Sequence, residues 1–105
     1  MTRVSPNLVV MPAGPALVQA LAPADAAGRS LVAGIRSLVD AAGTRPIHLV
    51  GSRSPRWETG VTGSFRAWGA PQVDVGEGRF LPELVQRHVL GERAARVADV
   101  RGSLG

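Results

Sequence analysis

The chain of 105 residues contains no cysteine. That absence removes disulfides, thiolate nucleophiles and thiolate metal sites together, and leaves the redox compartment open. Lysine is also missing, so all twelve basic residues are arginine. With the richness in Ala, Gly, Val and Pro, this reads as the codon bias of a GC-rich genome. There is no tyrosine; two tryptophans and two phenylalanines make up the aromatics, with no stacking cluster of the kind that reads RNA. No apolar run is long enough to span a membrane. Met1-Thr2-Arg3 carries one charge and leads into a Pro-interrupted apolar stretch, a poor secretory signal, so a cytoplasmic location is the default expectation.

What remains is compatible with one small α/β domain over residues 1–105, either whole or part of a larger unit. An apolar fraction of 45% suffices for a core. The net charge is +4, yet the arginines are spread singly from Arg3 to Arg101. That spacing describes a mildly basic solvated surface better than a nucleic-acid face.

Asn7-Leu8-Val9-Val10-Met11 reads as a strand buried on both faces, bounded by Pro6 and Pro12. Pro12-Ala13-Gly14-Pro15 is a turn, and Ala16–Leu21 has room for one or two helical turns, with Pro15 in a first-turn position. A longer helix runs from about Ala24-Asp25 to Ala42. Its expected apolar stripe is Leu31, Ile35, Leu38 and Ala42, widened by Val32 and Val39. Gly43 and Pro46 end it. Ile47–Val50 reads as a second buried strand, and the strand–helix–strand order predicts a right-handed parallel βαβ unit. Gln72–Val75 is a third strand. A helix from Leu81 to Leu90 buries Leu81, Leu84, Val85 and Val89, with Pro82 in its first turn. Glu92–Val100 reads as another short helix, and 101–105 as a frayed tail. The fold class is therefore α/β, a small parallel sheet of about three strands flanked by helices. Such a sheet has open edges, which predicts a homodimer or docking onto a larger protein of which this chain is the small subunit.

The order of the pieces resembles a known family. It includes the V-V-M-P strand end, the G-P-A-L-V helix start, an Ala-rich helix, a buried strand ending in V-G, the loop Gly63-Ser64-Phe65-x-x-x-Gly69 and the L-P-x-L-V helix. In this it is similar to the N-terminal half of the class III extradiol ring-cleaving dioxygenases and their relatives, particularly compact actinobacterial ones, over residues 7 to 91. The resemblance implies two histidines and a carboxylate holding non-haem iron. The first histidine would follow the first strand, where Pro12, Ala13 and Gly14 stand. The second would follow the second strand, where Ser52, Arg53 and Ser54 stand. The carboxylate belongs to a later half. The implied reading is a metal-free relative with a degenerate site, and the leaning is away from an enzyme.

His48, mid-strand, and His88, on the second helix, are weak candidates for a metal such as iron or zinc, because nothing like H-x-H or H-E-x-x-H joins them. The expected role of His48 is a neutral histidine in or beside the core, and that of His88 a rim residue. Arg53, Arg56 and Arg66 are of a type that clamps a small anion, although Gly51-Ser52-Arg53 lacks phosphate-loop spacing and Glu58 could simply pair with Arg56 or Arg66. Trp57 and Trp68 are expected to pack or to anchor an interface, and Phe65 to point inward. Ser64 has no G-x-S-x-G context. Asp74 and Glu77 lie too near a turn to be an acid/base pair. The primary functional expectation is a non-catalytic interaction domain whose binding or interface residues are Arg53, Arg56, Trp57, Ser64, Phe65, Arg66 and Trp68. The alternative is a small-molecule enzyme or binding protein with its pocket at the strand ends and the 51–70 loop. Binding of an anionic polymer is the weakest reading.

Overall fold

The computed structural model of the chain describes residues 3–5, 8–11, 17–18 and 25–102. The expected turn at Pro12–Pro15, most of the helical turns at Ala16–Leu21 and the tail 103–105 lie outside the described residues; Leu17 and Val18 are described, and both are buried.

The fold is a small α/β arrangement. Its described elements are β1 (Arg3–Ser5), β2 (Leu8–Val10), α1 (Ala26–Ala41), β3 (Ile47–Val50), β4 (Ser64–Phe65), β5 (Ala70–Asp74), α2 (Leu81–Leu90) and β6 (Val97–Arg101), with short 3-10 turns at Pro55–Trp57, Arg66–Trp68 and Gly91–Arg96. The strands form three pairs: β1–β2 antiparallel, β3–β6 parallel and β4–β5 antiparallel.

The parallel pairing differs from the expected one. β2 bonds to β1, and the parallel neighbour of β3 is the C-terminal strand β6, with Ile47 opposite Val97 and Val50 opposite Arg101. The segment expected to be a helix at Glu92–Val100 is a 3-10 turn followed by that strand. Val97, Ala98 and Val100 satisfy a helical stripe on paper. But Gly91, at φ 58°, takes the chain out of α2, and the β-branched valines find a partner in β3. The third expected strand exists, shifted to Ala70–Asp74 and paired with β4 rather than with the parallel sheet.

The two helices follow their sequence signals closely. Asp25 caps α1, its Oδ1 accepting the Gly28 N–H at 2.8 Å. Gly43 adopts φ 70° just beyond the last turn, the left-handed geometry that closes a helix. The buried stripe is centred on Gly28, Val32 and Ile35, with Leu31 and Val39 at its margins, whereas Leu38 is 38% exposed. It is thus rotated toward Gly28 and Val32 from the stripe expected through Leu38 and Ala42. Gly28 lies on the packed face, and Gly34 faces open space. In α2, Leu81, Leu84, Val85 and Val89 are all buried as expected. They join Leu17, Val18, Val32, Ile35, Phe65 and Ala70 in one core, flanked by Val9, Met11, Trp68, Val73 and Val75. Phe65, Leu84 and Val85 are fully buried.

Arginines tie the helices together. Arg87 is nearly buried, and its Nε donates to Glu83 Oε2 at 2.7 Å while Nη1 lies 3.3 Å from Glu77 Oε2. Arg36 of α1 donates to the last carbonyls of α2. Arg96 donates to the carbonyls of Val39 and Arg45, and Arg93 forks onto Asp40.

Candidate functional site

The 51–70 loop is built by backbone hydrogen bonds. Where β3 ends, a Cβ on Gly51 would stand 2.9 Å from Cβ of Pro82, so only glycine lets the strand meet the first turn of α2 this closely. Ser52 Oγ then accepts the Ser54 N–H at 3.2 Å, and Pro55 opens the 3-10 turn that carries Trp57. Three bonds of 2.8 Å stitch the loop to the 75–79 segment: Thr59 N–H to the Arg79 carbonyl, Gly63 N–H to the Gly78 carbonyl, and Val75 N–H to the Gly63 carbonyl. The buried Thr59 hydroxyl lies 3.0 Å from the carbonyls of both Val61 and Ser64 and accepts the Val61 N–H at 3.3 Å. A polar loop that must lie against a core can do so only when its backbone groups are paired in this way.

The candidate residues divide by what they touch. Phe65 is fully buried and meets the edge of the His88 ring, with centroids 6.1 Å apart and planes at 81°. Ser64 is buried and accepts the Arg66 N–H at 3.0 Å, which makes it a turn-former. Trp68 packs partly buried against the core. Trp57 stays 38% exposed, with the Arg56 guanidinium 5.9 Å from its ring centre. Arg53 lies 5.1 Å from the centre of Phe80, and Arg66 is exposed. The small cavity beside Arg53, about 10 Å³, is lined by neither Arg56 nor Arg66, so the three arginines do not close around one anion there. Glu58 makes no ion pair with Arg56 or Arg66 among the described residues; its backbone bridges to Phe80 instead. Asp74 accepts the Gly76 N–H at 2.6 Å, and Glu77 faces Arg87.

The two histidines occupy different places. His48 stands on the exposed face of β3, its Nδ1 3.9 Å from Asp99 Oδ2. This corrects the expectation of a core histidine: β3 alternates half-buried Ile47, exposed His48, buried Leu49 and exposed Val50, so only one of its faces is covered. His88 is half-buried on Phe65. Burial first, and then the Arg36 charge, hold its imidazole below its ordinary pKa. No three His, Asp or Glu side chains converge in a metal-holding group among the described residues. At the position of the second expected iron ligand stand a serine engaged with its neighbour and an arginine stacked on Phe80. A guanidinium there opposes a cation, so the described residues do not fit the iron site that the resemblance implies.

The large concavity lies elsewhere. A groove of about 1040 Å³ runs between β2, α1, β3 and α2, lined among others by Leu8, Val9, Ile35, Leu38, Leu49 and Val89. Its described charged or titratable lining is Arg45, His48 and Arg96, with no Asp or Glu. Gln86 also lines it, donating Nε2–H to the Val50 carbonyl at 2.9 Å while its buried Oε1 has no partner.

No protein-family model, curated protein or solved structure matches this chain.

Sequence reasoning did not single out Gln86, Arg36 or Arg87. Arginines in an all-arginine chain carry no local motif. Gln86 would have needed the register of α2 against β3, which a one-dimensional pattern lacks.

Proposed function

We propose that the chain is a non-catalytic, metal-free interaction module, acting as a homodimer or as the small subunit of a complex, on a scaffold like that of the class III extradiol ring-cleaving dioxygenases. The observation that carries this reading is the distribution of uncovered apolar side chains. Leu8 is 58% exposed, Val50 66%, Val61 46%, and Leu38 and Trp57 38% each. Leu8, Leu38 and Val50 border one groove, and Trp57 and Val61 belong to the neighbouring loop. Isolated exposed apolar residues need no explanation, but clustered ones beside unpaired strands do. The candidate residues support it further: Ser64, Phe65 and Trp68 hold the loop, Arg53 and Arg56 stack on aromatics, and no nucleophile–base pair forms among them. A membrane partner finds no support, since no helix among the described residues is long and apolar enough to cross a bilayer.

Light scattering across a concentration series, alone and after capture from its native extract, tests the reading. Concentration-dependent mass or a stoichiometric protein partner is the expected result. A strictly monomeric chain without a partner, or stoichiometric iron with turnover of a catechol, would overturn it.

A further inference from the structure

The groove between β2 and β3 has the chemistry of a strand slot. β2 is paired with β1 on one edge and β3 with β6 on one edge, and neither has a second strand neighbour among the described residues. Consecutive residues of a strand point to opposite faces. The groove is nevertheless lined by Leu8 and Val9 in succession, and by all of Ile47, His48, Leu49 and Val50. Such a lining places the groove against the strand edges and not merely beneath one face.

The hydrogen-bonding pattern agrees. Gly51 N–H donates to the Arg101 carbonyl at 3.0 Å, so the alternate backbone groups of β3, those of His48 and Val50, point away from β6. The Val50 carbonyl takes a side-chain donor, Gln86, in place of a strand, and the Gln86 Oε1 behind it is a buried acceptor lacking a donor. A buried unpaired acceptor costs about 1–3 kcal/mol, and an incoming backbone N–H is the group that would satisfy it.

We propose that this groove accepts one extended segment of a partner polypeptide, apolar in its middle and acidic at its ends, which pairs with the free edges of β2 and β3 and joins β1–β2 to β3–β6 in one sheet. The proposal rests on the interaction reading above and names the surface and the partner chemistry. Acidity follows from the rim, which offers Arg45, His48 and Arg96 and no carboxylate among its described residues; Asp40, the nearest acidic group on α1, is already forked by Arg93. The same basic rim disfavours a second copy of this chain as occupant, because like charges would be apposed. Backbone pairing supplies affinity in this mode, and side pockets such as the one bounded by Leu38 and Val39 supply selectivity.

The experiment uses the full chain and a fluorescein-labelled peptide, Glu-Glu-Val-Ile-Val-Val-Glu-Glu, read by anisotropy. Comparators are the same peptide N-methylated at alternate amides, the same peptide with lysine for glutamate, and dodecanoate. Saturable binding of the parent peptide is expected, weakened about tenfold or more by N-methylation, by the lysine exchange and by Leu38→Glu, a substitution at an exposed position whose folding is checked by circular dichroism. Equal binding of the N-methylated peptide, or dodecanoate displacing the methylated and parent peptides alike, would mean an apolar ligand cavity and overturn the slot. No binding of the parent peptide overturns it too. Light scattering separates the two claims: a chain that associates with a partner while ignoring the peptide keeps the interaction role and loses the slot.

Discussion

Arg36 on α1 donates its Nε–H to the Val89 carbonyl on α2 at 2.7 Å, and a terminal N–H to the His88 carbonyl at 3.4 Å. The last carbonyls of a helix have no partners of their own, and here a neighbouring helix supplies them. Arg96 returns the arrangement by donating to the Val39 carbonyl at 3.2 Å near the end of α1. The pair of helices is therefore held by charge-assisted bonds as well as by the Val32, Ile35 and Val89 contacts. Arg36→Ala is expected to lower stability by about 1.5–3 kcal/mol in urea unfolding, the range for bonds to charged groups. Arg36→Lys should recover only part, because an ammonium cannot reproduce the fork. A loss within measurement error would mean that water serves those carbonyls equally well.

Arg87 makes a sharper test of how a near-buried charge behaves. Its side chain and that of Glu83 are 10% and 13% exposed, whereas the second carboxylate, Glu77, is 75% exposed. Removing Glu83 strands a cation that cannot reach water, and removing Arg87 strands a carboxylate nearer the surface turn. Glu83→Leu is therefore expected to cost more than Arg87→Met, the former approaching the roughly 3–5 kcal/mol of a broken buried pair. Chemical denaturation of both variants and the double variant measures the difference. The double variant should be more stable than Glu83→Leu alone, and the reverse order would refute the argument.

The helices were legible because their signals are local: a capping Asp25, a terminal Gly43, Pro82 in a first turn, and apolar residues at helical spacing. The Ile47–Val50 strand was legible for the same reason. Its partner was not. Whether Val97–Val100 sits in a helix or beside β3 depends on contacts fifty residues away, and its short apolar pattern fits either period. The inward Phe65 followed from size and hydrophobicity. The splitting of the two tryptophans, Trp68 against the core and Trp57 outside, followed from the closure of the loop on 75–79, which needs the third dimension. The groove was invisible because it is made where two strands fail to pair, and a sequence pattern registers strands without their neighbours.

The pH dependence of stability should have two separate limbs. Hydrogen bonds from Arg93 to Asp40 and from Arg101 to Asp99 hold both carboxyls below the usual carboxylate range. Their contribution is full above the unfolded value of about 3.9 and is lost as pH falls through the lower folded values. His88 is held down chiefly by burial. The unfolded chain takes up its proton near pH 6.5, earlier than the folded one does, so stability begins to fall below that point and stops falling once the folded histidine is also protonated. His88→Gln should flatten the upper limb, and Asp40→Asn with Asp99→Asn the lower one, in unfolding midpoints measured from pH 8 to about 3. Proton NMR should place the His88 midpoint below 6.5, and a midpoint above that value would contradict the burial argument.

Glycine substitutions separate a constructed loop from a slack one. Gly63 has φ 78°, and a Cβ there would meet the Gly76 carbonyl carbon at 2.8 Å, backbone against backbone, with no side chain to swing aside. Its own N–H and carbonyl are both committed, to Gly78 and Val75. Gly63→Ala thus adds left-handed strain to a clash and threatens two of the three bonds that stitch the loop to the 75–79 segment. A loss of at least about 1–3 kcal/mol is expected, with the near-ultraviolet signal of Trp68 reduced as its packing loosens. Gly60, three residues earlier, has open space around it and no positive φ. Gly60→Ala should be neutral or stabilise by up to about 1 kcal/mol, by restricting the unfolded chain. Trp57→Ala should likewise leave the unfolding midpoint nearly unchanged, because that ring is outside the core. If Gly60→Ala and Gly63→Ala behaved alike, the backbone bonds from Gly63 would not be what holds the loop, and Trp57 and Val61 would have no fixed platform from which to meet a partner.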